Sequence, residues 1–202
     1  MKQHISSDLR VSRETEIRLR TFSALLSHWN RTINLVSRHD EANIWDRHII
    51  DSLALIAALP PTAGRAIDLG SGGGFPGIVL AIATGWRFEL VESDQRKAAF
   101  LREAIRATHA DAGVHCARIE TLRLERAPVV TARALAPLDR LLELASPFVA
   151  PDGICVFPKG RGVDDELTAA ALHWHMQIER IPSAIDTEST ILRIREIRRA
   201  GS

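Results

Sequence analysis

The sequence predicts an α/β fold: a mainly parallel seven-stranded sheet with helices on both faces and a helical extension at the N-terminus. Three observations lead to this prediction. From Arg65 onwards, short apolar runs alternate with longer segments of helical periodicity. A glycine-rich stretch, residues 70–77, separates the first apolar run from a helix, as in nucleotide-binding βαβ units. The last two apolar runs have no helix between them, so they should pair antiparallel.

The first sixty residues are predicted to be helical. Apolar side chains repeat at helical spacing from Ile17 to Trp29, and Ser12 stands where a helix would begin. A second helix is predicted from Asp46 to Ala58, and the Pro-Pro-Thr-Ala-Gly stretch at 60–64 ends it. We therefore expect a helical cap, residues 1–63, packed on a main domain, residues 64–202, in one compact unit.

The main domain then alternates between strands and helices. The predicted strands are 66–69, 87–92, 113–117, 129–132, 153–157, 176–181 and 190–197, and the predicted helices are 75–83, 95–109, 138–148 and 164–174. In such a sheet the ligand crevice lies beyond the carboxyl ends of the strands, where the strand order reverses. Gly70, Glu92, Arg133 and Lys159 stand at or just after four of these ends.

The glycine stretch fits two classes of ligand. The pattern that starts at Gly72 matches the dinucleotide fingerprint. The pattern Asp68-x-Gly70-x-Gly72-x-Gly74 matches the first motif of S-adenosylmethionine (SAM) methyltransferases. The dinucleotide pattern would begin two residues late and leave Gly70 unexplained, so SAM is favoured. Glu92 stands where either fold places the carboxylate that binds the ribose.

Composition and charge exclude several other classes of protein. With 46% hydrophobic and 25% charged residues, the chain has an ordinary globular composition. No apolar run approaches the roughly 20 residues of a membrane span, and residues 1–8 lack the apolar region of a signal peptide. We therefore expect a cytoplasmic protein. Cys116 and Cys155 are expected to be buried thiols, and neither they nor the histidines show the spacing of metal ligands.

Five short motifs stand in one order along the chain. They are Asn34-Leu35, Arg47-His48-x-x-Asp51-Ser52-Leu53, the glycine stretch 68–77, Arg133-Ala134 and Lys159-Gly160. Over nearly the whole chain, this set resembles the bacterial ribosomal RNA small subunit methyltransferase G family, also called glucose-inhibited division protein B. The resemblance implies a Rossmann-like class I SAM methyltransferase acting on N7 of one 16S ribosomal RNA guanine, position 527 in the 530 loop. It also implies 16S rRNA or the small ribosomal subunit as partner, and we expect a monomer.

The resemblance also implies a set of cofactor contacts. A backbone amide and a carboxylate after the third strand would meet the adenine, and Glu92 would bind the ribose hydroxyls, although many relatives have aspartate there. Gly73 departs from some relatives, which carry proline. The cofactor contacts implied by the resemblance are Gly70, Phe75, Ile119, Glu120 and Arg133. They add to Asp68, Gly72, Gly74 and Glu92 from the motif itself.

RNA would have to meet a local basic surface, because the net charge of the chain is only +1. We expect a rim of basic side chains around the crevice. Its candidates are Arg31, Arg38 and Arg47 in the cap, with Lys159 and Arg161 across the crevice.

The sequence assigns no catalytic acid or base. Guanine N7 carries a lone pair and no proton, so its attack on the sulfonium methyl needs no general base. Arg133, in an otherwise apolar run, and Lys159 are candidates for positioning the cofactor and the base. Arg47 and Asp51 have the spacing of a pair along a helix, and His48 is disfavoured as a proton shuttle or metal ligand.

Other interpretations of the same residues stay open at this stage. Asp68 could cap a turn, Glu92 could cap the following helix, Glu120 could be a solvated loop charge, and Lys159 could be an ordinary surface lysine. A nicotinamide-dependent oxidoreductase would use the same glycine loop. A non-catalytic ribosome-assembly factor would bind rRNA without consuming SAM.

Overall fold

The structure, a computed structural model, describes residues 11–41, 43–62, 64–183 and 188–201, with only the backbone described at Arg38 and His39. Within this part of the chain, seven strands form one sheet. They are β1 (Arg65–Leu69), β2 (Arg87–Glu92), β3 (Ala112–Cys116), β4 (Ala127–Ala132), β5 (Val149–Lys159), β6 (Trp174–Pro182) and β7 (Thr190–Arg199). Their order is β3-β2-β1-β4-β5-β7-β6. Strands β1 to β5 are parallel, and β7 pairs antiparallel with both β5 and β6, so the predicted fold class is confirmed.

Helices cover both faces of this sheet. They are α1 (Arg13–Asn30), α2 (Arg38–Glu41), α3 (Asp51–Ala54), α4 (Gly77–Thr84), α5 (Gln95–Thr108), α6 (Leu138–Ala145) and α7 (Val163–Ala171). Short 3-10 turns lie at Leu55–Ala58 and Ile119–Thr121. None of the described helices is long and apolar enough to cross a membrane.

The first helix begins where the sequence predicts. The Ser12 hydroxyl accepts a hydrogen bond from the Thr15 amide at 3.1 Å and so satisfies one of the free N–H groups of the first turn. Helix α1 buries Leu19, Phe22 and Leu26 and packs on α5. Ile17, which begins the predicted apolar stripe, is 57% exposed.

The predicted helix from Asp46 to Ala58 is not one regular helix. Trp45–Ile50 forms a π-helical turn, α3 follows, and a 3-10 turn ends the segment. The segment is mostly buried, with Asp46, Arg47 and Ala57 exposed. Arg47 Nε lies 3.6 Å from Asp40 Oδ1. The predicted pairing of Arg47 with Asp51 assumed α-helical spacing, which this segment lacks.

Two apolar cores sandwich the sheet. The first lies between the sheet and α1, α3, α4 and α5, and the second lies between the sheet and α6 and α7. Cys155 lies buried in the second core, whereas Cys116 is exposed because β3 is an edge strand. The expectation that both thiols are buried is therefore wrong for Cys116. The boundary between cap and main domain at residue 63 stays a prediction.

Candidate active site

The glycine loop follows β1 at the point where the strand order reverses between β1 and β4. Gly70 and Gly72 have φ angles of +67° and +52°, a backbone region that side chains rarely adopt. A Cβ at Gly70 would also lie only 2.7 Å from Leu135 Cδ1. The loop therefore needs glycine for its backbone conformation at both positions and for close packing at Gly70.

Glu92, at the end of β2, holds this loop in place. Its Oε2 accepts a hydrogen bond from the Gly72 amide at 2.9 Å, and its Oε1 accepts one from the Asp94 amide at 2.8 Å. The N-cap of α5 is Asp94, whose carboxylate accepts from the amides of Arg96 and Lys97, so Glu92 does not cap that helix. Each oxygen of Glu92 keeps a further lone pair that a hydroxyl group can use.

A cleft of about 270 Å³ opens beside the loop. Five of the residues predicted to bind the cofactor line it together: Gly70, Gly72, Glu92, Ile119 and Glu120. The carboxylate of Glu120 is held by Arg140, whose guanidinium donates to Glu120 Oε1 at 2.8 Å. Open glycine backbone, an apolar side chain and two carboxylates match the charged, apolar and hydroxyl-bearing parts of SAM. We call this space the cofactor cleft.

Asp68 lies beneath the loop and not in the cofactor cleft. It is fully buried, and its Oδ1 accepts a hydrogen bond from Thr131 Oγ1 at 2.7 Å across the β1–β4 pair. Burial raises the pKa of Asp68 to about 6. A Cβ at Gly77 would lie 2.7 Å from Asp68 Oδ2, so this carboxylate packs against the start of α4. Asp68 therefore supports the loop from below.

Phe75 and Arg133, two further predicted cofactor residues, form a stack with His48. The rings of Phe75 and His48 are stacked with centroids 5.0 Å apart, and the Arg133 guanidinium lies 5.4 Å from the Phe75 centroid. Arg133 donates hydrogen bonds to His48 Nδ1 and, at 3.4 Å, to the carbonyl oxygen of Arg47. Gly74 faces the apolar core beside this stack, where a Cβ would lie 2.9 Å from Ile78 Cγ1.

His48 in this stack is a neutral hydrogen-bond acceptor. Burial and the neighbouring Arg133 charge lower the pKa of His48 to about 4. Its Nδ1 lone pair is engaged by Arg133, and its Nε2 lies 3.8 Å from Asp40 Oδ2. The sequence indicated that a buried arginine needs a partner, but it gave no signal that His48 is this partner.

A second cleft, of about 490 Å³, lies on the other side of a short wall. Ala134 and Leu135 line both clefts, so this wall is the segment that follows β4. Lys159 Nζ donates to Ala136 O at 3.0 Å and to Glu166 Oε2 at 2.7 Å, and Glu166 Oε2 also accepts from the Leu138 amide. Lys159 is only 11% exposed and is not an ordinary surface lysine. It fastens the wall to α7.

Comparisons with known proteins agree on one family. Residues 15–190 match the family model GidB, described as rRNA small subunit methyltransferase G. The chain is 54% identical over 189 residues to the ribosomal RNA small subunit methyltransferase G of Granulibacter bethesdensis, covering 94% of this chain and 89% of the relative. It is 56% identical over 194 residues to that of Acidiphilium cryptum, covering 95% and 89%. This chain belongs to the rRNA small subunit methyltransferase G family.

The fold agrees with this membership. A TehB-like SAM-dependent methyltransferase from Corynebacterium glutamicum superposes with a TM-score of 0.58 at 15% identity, over 85% of this chain and 98% of that one. The family decides between the two ligand classes of the glycine loop. This methyltransferase G family member is a SAM-dependent enzyme.

The predicted RNA-binding rim of this family member is only partly brought together. Arg47, 62% exposed, and Lys159 both line the second cleft. Arg31 and Arg161 are exposed but lie outside its lining, and Arg161 pairs with Glu188. The side chain of Arg38 lies outside the described residues. Among the His, Cys, Asp and Glu side chains that the structure describes, no group could hold a metal ion.

Thr131 offers a test of the buried carboxylate in this methyltransferase. Because the pKa of Asp68 is raised above its usual range, ionisation of Asp68 lowers stability as pH rises towards 6, and the Thr131 hydroxyl offsets that loss. We expect Thr131→Val to lower the free energy of unfolding by about 1–3 kcal/mol at pH 7.5, and by less at pH 5, where Asp68 is protonated. Urea unfolding at both pH values measures this, with Thr131→Ser as the control that keeps the hydroxyl. Equal losses at both pH values would contradict it.

Proposed function

We propose that this enzyme methylates N7 of one guanine in 16S rRNA, position 527 in the 530 loop. The observation that carries the proposal is the pair of clefts on either side of the Ala134–Leu135 wall, in a member of this family. One cleft suits SAM, and a base in the other would lie next to it. The substrate is 16S rRNA or the small subunit that contains it, and the enzyme acts as a cytoplasmic monomer.

The residues of the cofactor cleft have separate tasks in this proposal. SAM supplies a sulfonium methyl group when it is bound. Glu92 accepts hydrogen bonds from the two ribose hydroxyls, while Ile119 and Glu120 contact the adenine. Gly70 and Gly72 leave room for the cofactor to approach the backbone at the end of β1.

The residues around the wall position the base. Guanine N7 has a lone pair and no proton, so no side chain has to remove one. Arg133 is held by His48 and the Arg47 carbonyl, and Lys159 is held by Glu166 and Ala136. These contacts hold the Ala134–Leu135 wall in place. The attacking nitrogen and the methyl carbon must align beside this wall. Such alignment contributes on the order of 7–11 kcal/mol in well-oriented intramolecular reactions.

A label-transfer experiment tests the proposal. Methyl-labelled SAM is incubated with the enzyme and either small subunits or naked 16S rRNA, and the RNA is then cleaved chemically at 7-methylguanosine. Label at a single guanine N7 is the expected result. Label at another atom would overturn the proposed target. An enzyme that binds RNA and SAM but transfers no label would instead be a non-catalytic assembly factor.

We expect no histidine titration in the chemical step. The pKa of His48 is lowered to about 4 and its Nδ1 is occupied by Arg133, so it cannot act as a base near neutrality. The single-turnover rate at saturating SAM and RNA should therefore stay nearly constant between pH 6 and 8. His48→Asn should keep most of this rate, because the asparagine oxygen can take the place of Nδ1 as acceptor. A rate that rises steeply from pH 6 to 7 and is lost in His48→Asn would make His48 the base.

RNA affinity should depend on salt and on exposed arginines. Each phosphate contact releases counterions, and its loss reduces the slope of log K against log salt by about 1. We expect Arg47→Glu to raise the RNA Kd and to flatten this slope while SAM affinity stays unchanged. Arg106→Glu, an exposed change on α5 outside both clefts, serves as the matched control. An RNA Kd that is independent of salt and of Arg47 would place the RNA on another surface.

A further inference from the structure

The second cleft has the chemistry of a pocket for a purine base. Its volume, about 490 Å³, lies within the usual range of small-molecule sites. Two carboxylates, Asp51 and Glu166, line it together with cationic side chains. The cofactor cleft lies directly across the Ala134–Leu135 wall. A base that enters this cleft is therefore next to the methyl donor and meets carboxylates.

Glu166, one of the two carboxylates, holds the Ala134–Leu135 wall in place. Its Oε2 accepts hydrogen bonds from the Leu138 amide and from Lys159, both at 2.7 Å. Asp51, the first residue of α3, follows the π-helical turn that carries Arg47 and His48 into the same cleft. Asp51 is only partly buried. Its carboxylate is close enough to Arg133 to interact electrostatically with that guanidinium. The Asp51 carboxylate thus places a negative charge on the cap side of the cleft, beside Arg133, which follows β4.

Guanine presents a matching edge to such a carboxylate. With N7 directed at the methyl donor, its N1–H and N2–H₂ donors remain side by side on the Watson–Crick edge. Adenine has an acceptor at N1 and cannot pair with a carboxylate in this way. We propose, on the basis of the proposed function, that the second cleft holds the target guanine turned out of the RNA and that the Asp51 carboxylate accepts hydrogen bonds from N1–H and N2–H₂.

This contact would also assist the reaction. The N7–C bond forms as the C–S bond breaks, and the electron pair of that bond goes to sulfur, which becomes neutral. The positive charge moves to the purine and makes N1–H a stronger donor. The hydrogen bond to Asp51 is therefore stronger in the transition state than in the ground state, which is the condition for a contact to raise the rate.

A combined change of protein and RNA tests the contact. The target guanine is replaced by inosine, which lacks the 2-amino group, in 16S rRNA and in small subunits reconstituted with it. Wild type, Asp51→Asn and the matched control Asp165→Asn, an exposed carboxylate on α7, are compared on both substrates in single turnover. Loss of a bidentate contact to a base is expected to lower kcat/KM by about 5- to 150-fold. SAM affinity should stay unchanged in all three proteins.

The pattern of losses decides the outcome. We expect wild type to lose activity on inosine, Asp51→Asn to lose activity on guanine, and the combination to lose clearly less than the product of the two factors. Equal rates of wild type on guanine and inosine, or losses that multiply, would overturn the contact while leaving the proposed function intact. If wild type methylates no guanine N7 although it binds SAM, the proposed function itself is overturned, and the inference with it.

Discussion

Gly72→Val should abolish measurable SAM binding while the circular dichroism spectrum stays close to that of the wild type. Gly72 has a φ of +52°, where an L side chain costs roughly 1–2 kcal/mol and a β-branched one more. A Cβ there has room, since its nearest neighbour would be Gly70 O at 3.7 Å. The fold therefore tolerates the substitution, but the two valine methyl groups occupy space in the cofactor cleft, which Gly72 lines. Isothermal titration calorimetry with SAM measures the effect.

Gly85→Val is the matched control for this variant. Gly85 has a similar φ of +70° and no atom within 4 Å of its would-be Cβ, but it ends α4 outside both clefts. Its substitution carries a comparable backbone penalty and should leave the SAM Kd unchanged. Equal losses of SAM affinity in the two variants would mean that strain in the fold, and not obstruction of the cleft, explains Gly72→Val. Normal SAM affinity in Gly72→Val would show that Gly72 is only a turn residue.

The elements that the sequence predicted well have local signals. The Ser12 cap and the apolar stripe predicted α1, and the alternation of apolar runs and helical segments predicted the sheet. The π-helical turn at Trp45–Ile50 has no such local signal, and the sequence predicted a regular helix there. Trp174 was placed in a helix but begins β6, where its indole donates to Asp139 Oδ1 at 2.9 Å. Tertiary contacts of this kind override local periodicity.

In the candidate site, too, some features were predicted from the sequence and others were not. Topology brings strand ends together, so Gly70 and Glu92 could be assigned to one crevice from the sequence. Ile119 and Glu120, which line the same cleft, came only from the family resemblance. The contact of Arg133 with His48 joins residues 85 positions apart, and no local pattern announces it. No local pattern announces the position of Asp68 either. Its carboxylate suggested a role in binding the cofactor, but it lies buried against Thr131. The binding roles themselves stay predictions until they are measured.

Glu92→Ala should weaken SAM binding by roughly 10- to 150-fold, since hydrogen bonds to a charged group contribute about 1.5–3 kcal/mol. The structure adds a second consequence to the loss of the ribose acceptor. Glu92 bridges the amides of Gly72 and Asp94, so its removal leaves both without this acceptor and loosens the glycine loop. We therefore expect the free energy of unfolding to fall by about 1–3 kcal/mol as well. Calorimetry with SAM and urea unfolding measure the two effects separately.

Asp94→Ala separates these two consequences. Asp94 caps α5 through the amides of Arg96 and Lys97 and does not line the cofactor cleft, so its loss should lower stability and spare SAM affinity. If Glu92→Ala loses stability but binds SAM normally, the carboxylate is a structural bridge and the ribose hydroxyls bind elsewhere. If Asp94→Ala loses as much SAM affinity as Glu92→Ala, disturbance at the start of α5 explains both. A loss of affinity in Glu92→Ala alone excludes disturbance at the start of α5 as its cause, because Asp94→Ala disturbs the same helix terminus. It assigns the loss to the Glu92 carboxylate, through its contact with the Gly72 amide or with the ribose.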